Sequence, residues 1–467
     1  MRNNSIIAIL AACTIIGSGC RKYVDIKTQG SLVPGEAQNY RYLLNSTNSF
    51  SGGVAIGDFS SDDVQLVDGS AQQQALAFSD YYGFYAKSYT WQPVIFPVSQ
   101  YYYKDNDWDF PYNNITNANV VINEVPAVKD ATEPQKDALI AEALVHRADA
   151  YLMLVNTYGK PYNASTAESD LGVPLVLVGT TSQPLNRQSI KQVYDQILTD
   201  LKKAAPSLPA TQPFNTLPSK ASAFGDLART YLYMNLYDSA NRYADSALSY
   251  RNTLNDLGTI SPFNYPLQKN DPEALLVKNA AYNTTGFAPY AIRLSDTLLN
   301  VLGTKDQRYT LFTTDAATVS SSYTAAGGRF YYRDLLTYEA RNVGPTVPEM
   351  MLIKAEYYAR SGNASAAMQW VNTLRTKRFK AADYTALTAT DANDALVKVL
   401  QERQREFFCR MLRWWDMRRL KSETKFQQTL TRTFGGTTYT LDPNSNRYVF
   451  QIAPYYLKLN PEIQQNP

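Results

Sequence analysis

The residues that could do chemistry in this 467-residue chain are few. There is one histidine, His146, and there are three cysteines, beside 35 tyrosines, 18 phenylalanines and 5 tryptophans. A single histidine cannot supply a two-histidine zinc site, and a Ser-His-Asp triad would have to use His146 as its base. Three cysteines build neither a zinc ribbon nor a disulfide framework. Asp105, Asp107 and Asp109 stand at i, i+2 and i+4, like the opening of a calcium loop. That loop also needs Gly at its sixth position and Glu at its twelfth, where Phe110 and Thr116 stand. The run therefore reads as a turn and cap before a helix. Ser422-Glu-Thr-Lys425 matches S-x-x-K without the K-T-G and S-D-N that accompany it in enzymes. No P-loop, dinucleotide fingerprint or G-x-S-x-G is present. These observations argue against an enzyme, a resident cofactor and a metal. The net charge of +3 is close to balance and argues against a nucleic-acid surface.

What the chain has in quantity is aromatic side chains. Tyr81 to Tyr112 holds 13 of them in 32 residues. Such side chains offer flat apolar faces to sugar rings or peptide planes, and their hydroxyls add hydrogen bonds. Most of them are expected to pack loops onto the body. The candidate ligand contacts are Trp91, the run Tyr101, Tyr102 and Tyr103, and Tyr82 and Tyr85. Three consecutive large amphipathic side chains cannot all point inward.

The elements that must position these residues are mainly helical. Asp137 to Val155 carries Leu139, Ala143, Leu144, Ala148, Tyr151, Leu152 and Val155 on one broad face. Ser189 to Ala205 repeats apolar residues at helical spacing, with Ser189 as N-cap and Pro206 and Pro209 as stops. Two later segments match each other. Ala228 and Ala355 are each followed by Tyr at +3 (Tyr231, Tyr358), by Asn235 or Gly362 at +7, and by Ala at +12 (Ala240, Ala367). This is the tetratricopeptide pattern of paired antiparallel helices. Three such hairpins are expected, and a fourth with the C-terminal helix. The fold class is mainly α, an α-α superhelix carrying long aromatic-rich loops and a few short strands. The segment Gln401 to Leu420, dense in arginine with Trp414 and Trp415, reads as one helix whose charges pair on a solvated or half-buried face.

The first residues read as an export signal. Arg2 precedes the apolar run Ile6 to Ile16, small residues follow, and Cys20 comes directly after them. The apolar run is too short to span a bilayer. Cys20 is the expected lipidation site, at which acyl chains hold the protein to a membrane. Residues 1–19 are then the signal peptide, 20–230 an N-terminal region with the first hairpins, and 231–467 a C-terminal region with further hairpins and ligand-facing loops.

Taken in order, several stretches resemble the SusD/RagB family of outer-membrane lipoproteins. They are Ala141 to Tyr151 running on to Tyr158-Gly-Lys-Pro-Tyr162-Asn163, Gly172-Val-Pro174, Ser219-Lys-Ala221, Ala355-Glu356 with Trp370 to Arg375, Glu402-Arg-Gln-Arg-Glu406, Arg413-Trp-Trp-Asp416, and the ending Asn460 to Pro467. The chain departs from the family pattern at Arg410-Met411, where a Glu-Gly pair is usual, and at Gly344 to Glu349. The resemblance implies a non-enzymatic lipoprotein at the cell surface. It would capture a nutrient, most often an oligosaccharide, and deliver it to a TonB-dependent transporter of the SusC type. Two alternatives share the architecture: one binds peptides, and the other is a tetratricopeptide scaffold with no small ligand.

Overall fold

The computed structural model describes residues 35–50, 52–178, 183–280 and 291–467. The signal region and Cys20 lie outside the described residues. Among the described residues no helix is long and apolar enough to cross a membrane.

The helices that matter here are α1 (Ala37–Asn45), α2 (Gly57–Ser60), α3 (Ala71–Phe78), α4 (Gly83–Tyr89), α5 (Asn106–Glu124), α6 (Glu133–Tyr158), α7 (Ile190–Ala204), α8 (Lys220–Tyr233), α9 (Tyr237–Tyr250), α10 (Asp296–Leu302), α11 (Val347–Arg360), α12 (Ala364–Arg375), α13 (Ala392–Phe407), α14 (Leu412–Leu420) and α15 (Pro454–Leu459). The stack runs α5–α6–α7–α8–α9–α11–α12, with α13 closing onto α11 and α12. The hairpins are scattered in sequence but contiguous in space, because residues 251–280 and 291–346 lie between α9 and α11 in sequence, outside the stack. Mainly α architecture with tetratricopeptide-like hairpins is therefore what the chain adopts.

Local chemistry accounts for the hairpins. Ser189 accepts from the Gln192 amide, and the Gln192 side chain answers to the Ser189 amide, closing a capping box at the start of α7. From there Ile190, Val193, Tyr194, Ile197, Leu201 and Ala204 are all buried, at the i, i+3, i+4 spacing of the sequence. Ser189→Ala is expected to cost about 1 kcal/mol, read as a small downward shift of the thermal midpoint. At the turns of the later hairpins, Asn235 (φ 59°) and Gly362 (φ 89°) take left-handed backbone. Asn and Gly are the residues that tolerate that conformation, which explains the +7 position of the repeat. Ala228, Ala240, Ala355 and Ala367 are fully buried, so helix backbones approach closely where the repeat has small residues.

The strands form four two-stranded sheets among the described residues. β1 (Gly52–Gly53) pairs in parallel with β4 (Asn279–Ala280), and β2 (Leu171–Pro174), β5 (Thr313–Asp315) and β7 (Leu430–Phe434) pair antiparallel with β3 (Arg187–Ser189), β6 (Arg329–Tyr331) and β8 (Thr437–Leu441). These pairs pin loops to the helical body. The division expected after residue 230 falls inside α8, and one hydrophobic core runs from Val54 to Ile463 across it.

One expectation needs correcting. Gln401 to Leu420 is not a single helix. α13 ends at Phe407, and Cys409 and Met411 take φ of 55° and 68° before α14 begins. Arg341 donates to the Cys409 carbonyl at 2.6 Å, and the Met411 amide donates to Asp58 at 2.6 Å, which fixes the break. Nor is this arginine set solvated: Arg405 and Arg413 are half-buried, as one of the two expected settings had it, and the rest lie deeper. Arg403, Arg410, Arg418 and Arg419 are buried. Arg308 meets Asp306, Glu402 and Glu406, and Arg378 meets Glu406 and Glu273. Arg419 bridges Glu356 and Asp416, and Asp416 also pairs with Arg403. The Glu402–Glu406 and Arg413–Asp416 motifs are thus an internal ion lattice tying α13 and α14 to α11. A helical-wheel reading finds partners on the same helix, whereas most of these partners sit on other elements.

Candidate ligand-binding site

The aromatic segment folds into a graded column. Ser79 accepts from the amides of Tyr81 (3.1 Å) and Tyr82 (2.9 Å), turning the chain between α3 and α4. At the core end, Tyr85 lies 4.7 Å from Phe59 and 4.0 Å from Phe84, ring centre to ring centre. Tyr82 follows at 6.4 Å from Tyr85, and Tyr81 meets Tyr82 edge-on at 5.0 Å. Tyr101 then stacks on Tyr81 at 4.9 Å with 28° between the planes. Exposure rises along the column, from 3% at Tyr85 to 56% at Tyr81 and 70% at Tyr101. Phe78, at the end of α3 just before the turn, is 87% exposed.

The three consecutive tyrosines diverge. Tyr101 faces solvent. Tyr102 folds back onto α4, its hydroxyl against Gly83 so closely that a Cβ there would stand 2.6 Å from it. Burial, and then the charge of Asp80, raise its pKa. Tyr103 packs on Tyr455 of α15 at 5.0 Å, with the Lys104 ammonium near both rings.

Of the sequence candidates, Tyr101 and the half-buried Tyr82 share the column's outer end. Trp91 and Tyr85, also expected as ligand contacts, are instead buried in the core. Trp91 is 6% exposed. Its indole N–H donates to the Ser60 carbonyl at 3.0 Å, and the Arg432 guanidinium lies 4.4 Å from its ring centre. Arg432 also donates to the carbonyls of Phe59 and Tyr89, so it clamps β7 onto the loops. Tyr102 and Tyr103 are half-buried and engaged with protein. Tyr81 was not singled out by sequence; its place beside Ser79 and Tyr82 in a turn is the signal that marks it.

The other chemistry-bearing residues are structural. Asp105 caps α5 through the Asp107 amide, as the sequence suggested, and receives the Tyr158 hydroxyl. Asp107 accepts from the amides of Ala55 (2.9 Å) and Ile56 (2.7 Å). Burial, reinforced by Asp105, pushes its pKa well up. His146 stacks on Phe50 at 4.5 Å, with its Nδ1 2.9 Å from the Lys278 ammonium. Burial and that neighbouring charge hold its pKa well below the usual value, so it stays neutral. Ser422 donates to the Arg419 carbonyl, and Lys425 approaches Asn393.

Comparison with known proteins agrees with this architecture. A family described as starch-binding and associating with the outer membrane matches residues 54–232, and the SusD family matches residues 347–467. The SusD-like protein P38 of Formosa agariphila is 22% identical over 429 residues, covering 77% of this chain and 78% of that protein. The SusD-like protein P2 of the same organism is 32% identical over 125 residues, 27% of this chain and 23% of that one. Among solved structures, a SusD superfamily protein of Bacteroides thetaiotaomicron superposes with a TM-score of 0.72 at 18% identity, over 92% of this chain and 100% of that one. A laminarin-binding SusD-like protein superposes with a TM-score of 0.63 at 18% identity, over 92% of this chain and 97% of that one. Two family matches in order and a relative spanning most of both chains lead to one conclusion: the chain belongs to the SusD/RagB family.

Proposed function

We propose that this protein captures an oligosaccharide on the Tyr81–Tyr101 pair and delivers it, unchanged, to a TonB-dependent transporter of the SusC type. The observation that carries the reading is the stacked tyrosine pair, more than half exposed, seated on a buried aromatic column. The column holds the outer rings without help from a ligand, so little ordering cost remains at binding. The outer faces are apolar and flat, with hydroxyls at their edges, which suits the alternation of C–H faces and hydroxyls on a sugar ring. The family description as starch-binding, and the laminarin-binding name of a fold neighbour, support a glycan as the ligand class. The tetratricopeptide-like hairpins are the natural docking surface for the transporter.

Calorimetric titration against panels of glycans and of peptides tests the ligand class. Heat with glycans, lost in the tyrosine variants, is expected. Heat with peptides alone would replace the glycan by a peptide ligand on the same platform. The reading also holds Cys20 to be lipidated and the protein to sit on the outer membrane, facing outward. Cys20→Ala is expected to move the protein from the membrane fraction to the soluble one. Retention in the membrane fraction would refute the anchor.

A further inference from the structure

A second concavity lies on another part of the molecule and shares no residue with the tyrosine platform. It is a groove of about 320 Å³ between α10, α13, α14 and the segment 421–428. That volume is at the lower edge of the range of roughly 300–1,000 Å³ in which small-molecule sites fall. Met417 and Tyr448 form its buried wall, and Gln401, Lys421, Lys425 and Phe426 stand at its more open side.

The charge balance of this groove is uneven. The Lys421 ammonium donates to the Pro443 carbonyl at 3.1 Å and lies 4.8 Å from the Tyr448 ring centre. Among the described residues no carboxylate pairs with it. Burial lowers its pKa, and the charges that act on it next are cations, Arg418 and Lys160. Lys160 is held by Asp170 at 2.6 Å. Arg418 is buried behind the wall, donates to the Gly159 carbonyl, and leaves its Nε without a hydrogen-bond partner. Lys425 comes only within 3.9 Å of Glu423. The acid that lines the groove, Asp62, is already satisfied by both nitrogens of the Arg413 fork at 2.6 and 2.7 Å and by Gln428 at 3.1 Å. The concavity therefore presents positive charge that the protein does not neutralise. A half-buried ammonium without a counter-ion is costly, and an anion delivered to it is rewarded more than at an exposed lysine. The Phe426 ring and the Gln401 amide add a flat apolar face and a hydrogen-bonding group beside that charge.

We propose that the groove binds a carboxylate-bearing sugar unit, a uronic acid. Lys421 takes the carboxylate, Lys425 adds to the field, and Phe426 lies against the ring. This goes beyond the platform reading and does not depend on it, since the residues and the ligand charge both differ.

The test uses the mature chain with digalacturonate as probe, laminaribiose as the neutral disaccharide and acetate as the bare carboxylate. Calorimetry is expected to show digalacturonate binding that weakens with salt, with laminaribiose and acetate at least about tenfold weaker. Lys421→Gln should weaken digalacturonate about tenfold or more. Gln401→Trp, a change at an exposed helix position, should do the same by filling the mouth. Hydrogen–deuterium exchange should show probe-dependent protection over residues 413–428. Failure of the wild-type protein to bind the probe overturns the proposal. So does retention of binding in both folded variants, or protection confined to residues 78–103. Equal binding of laminaribiose would overturn the anionic ligand, and equal binding of acetate would overturn the sugar.

Discussion

Glu402→Leu is expected to destabilise the protein by about 3–5 kcal/mol, the usual cost of removing one partner from a buried charge set. Glu402 is fully buried. It accepts from Arg308 at 2.6 Å, Arg375 at 3.0 Å and Arg405 at 3.0 Å. Leucine fills much of the space but leaves three guanidinium groups short of an acceptor. Arg308 keeps Asp306 and Glu406, whereas Arg375 and Arg405 keep no carboxylate among the described residues. Urea unfolding gives the measurement, and a variant within about 1 kcal/mol of the wild type would mean that the lattice relaxes to other partners. The pH dependence has a definite sign. Burial alone would raise the Glu402 pKa, but Arg308, Arg405 and Arg375 outweigh it and hold it down to about 2, from 4.5 when unfolded. A depressed folded pKa stabilises fully above the unfolded value, and that contribution is lost as pH falls through the folded one. The gap between wild type and Glu402→Leu should therefore narrow between pH 4.5 and about 2.

Replacing Tyr81 and Tyr101 together by alanine is expected to weaken glycan binding about ten- to hundredfold, with little change in stability. Each aromatic face contributes on the order of 0.5–1.5 kcal/mol beyond its buried area, and about 1.4 kcal/mol is tenfold in affinity. Both rings are more than half exposed, and surface substitutions usually move stability by no more than about 0.5 kcal/mol. Calorimetry and a thermal melt on the same samples separate the two effects. Unchanged affinity with an unchanged melt would remove the platform from the binding site.

The helical hairpins were legible because their signals are local. Ser189 with Gln192, the periodic run from Ile190 to Ala204, and the +3, +7 and +12 spacing each arise within a few residues of one another. The broken helix at Cys409 and the burial of the arginine lattice were not legible. Both depend on Asp58, Arg308 and Arg341, which lie far away in sequence and meet this segment only after folding. The aromatic segment was half legible. Density marked the region, but whether a ring is a contact or a wedge is set by what lies behind it. Arg432 and Ser60 bury Trp91, while nothing comparable covers Tyr101.

The helix break fixed by Asp58 has a temporal consequence. Asp58 holds the Met411 amide, Asp62 pairs with Arg413, and Asp63 takes Gln404 and the Cys409 amide. Asp105 engages Tyr456, and Arg187 engages Asn466 near the last residue. Asp58, Asp62 and Asp63 thus have their partners some 350 positions later. Such high contact order makes folding slow, because the loop must close before its contacts stabilise it. The early segment cannot complete its fold while the chain is still emerging. A protein wired in this way keeps the Asp58–Asp63 turn open until the segment from Gln404 to Arg413 arrives.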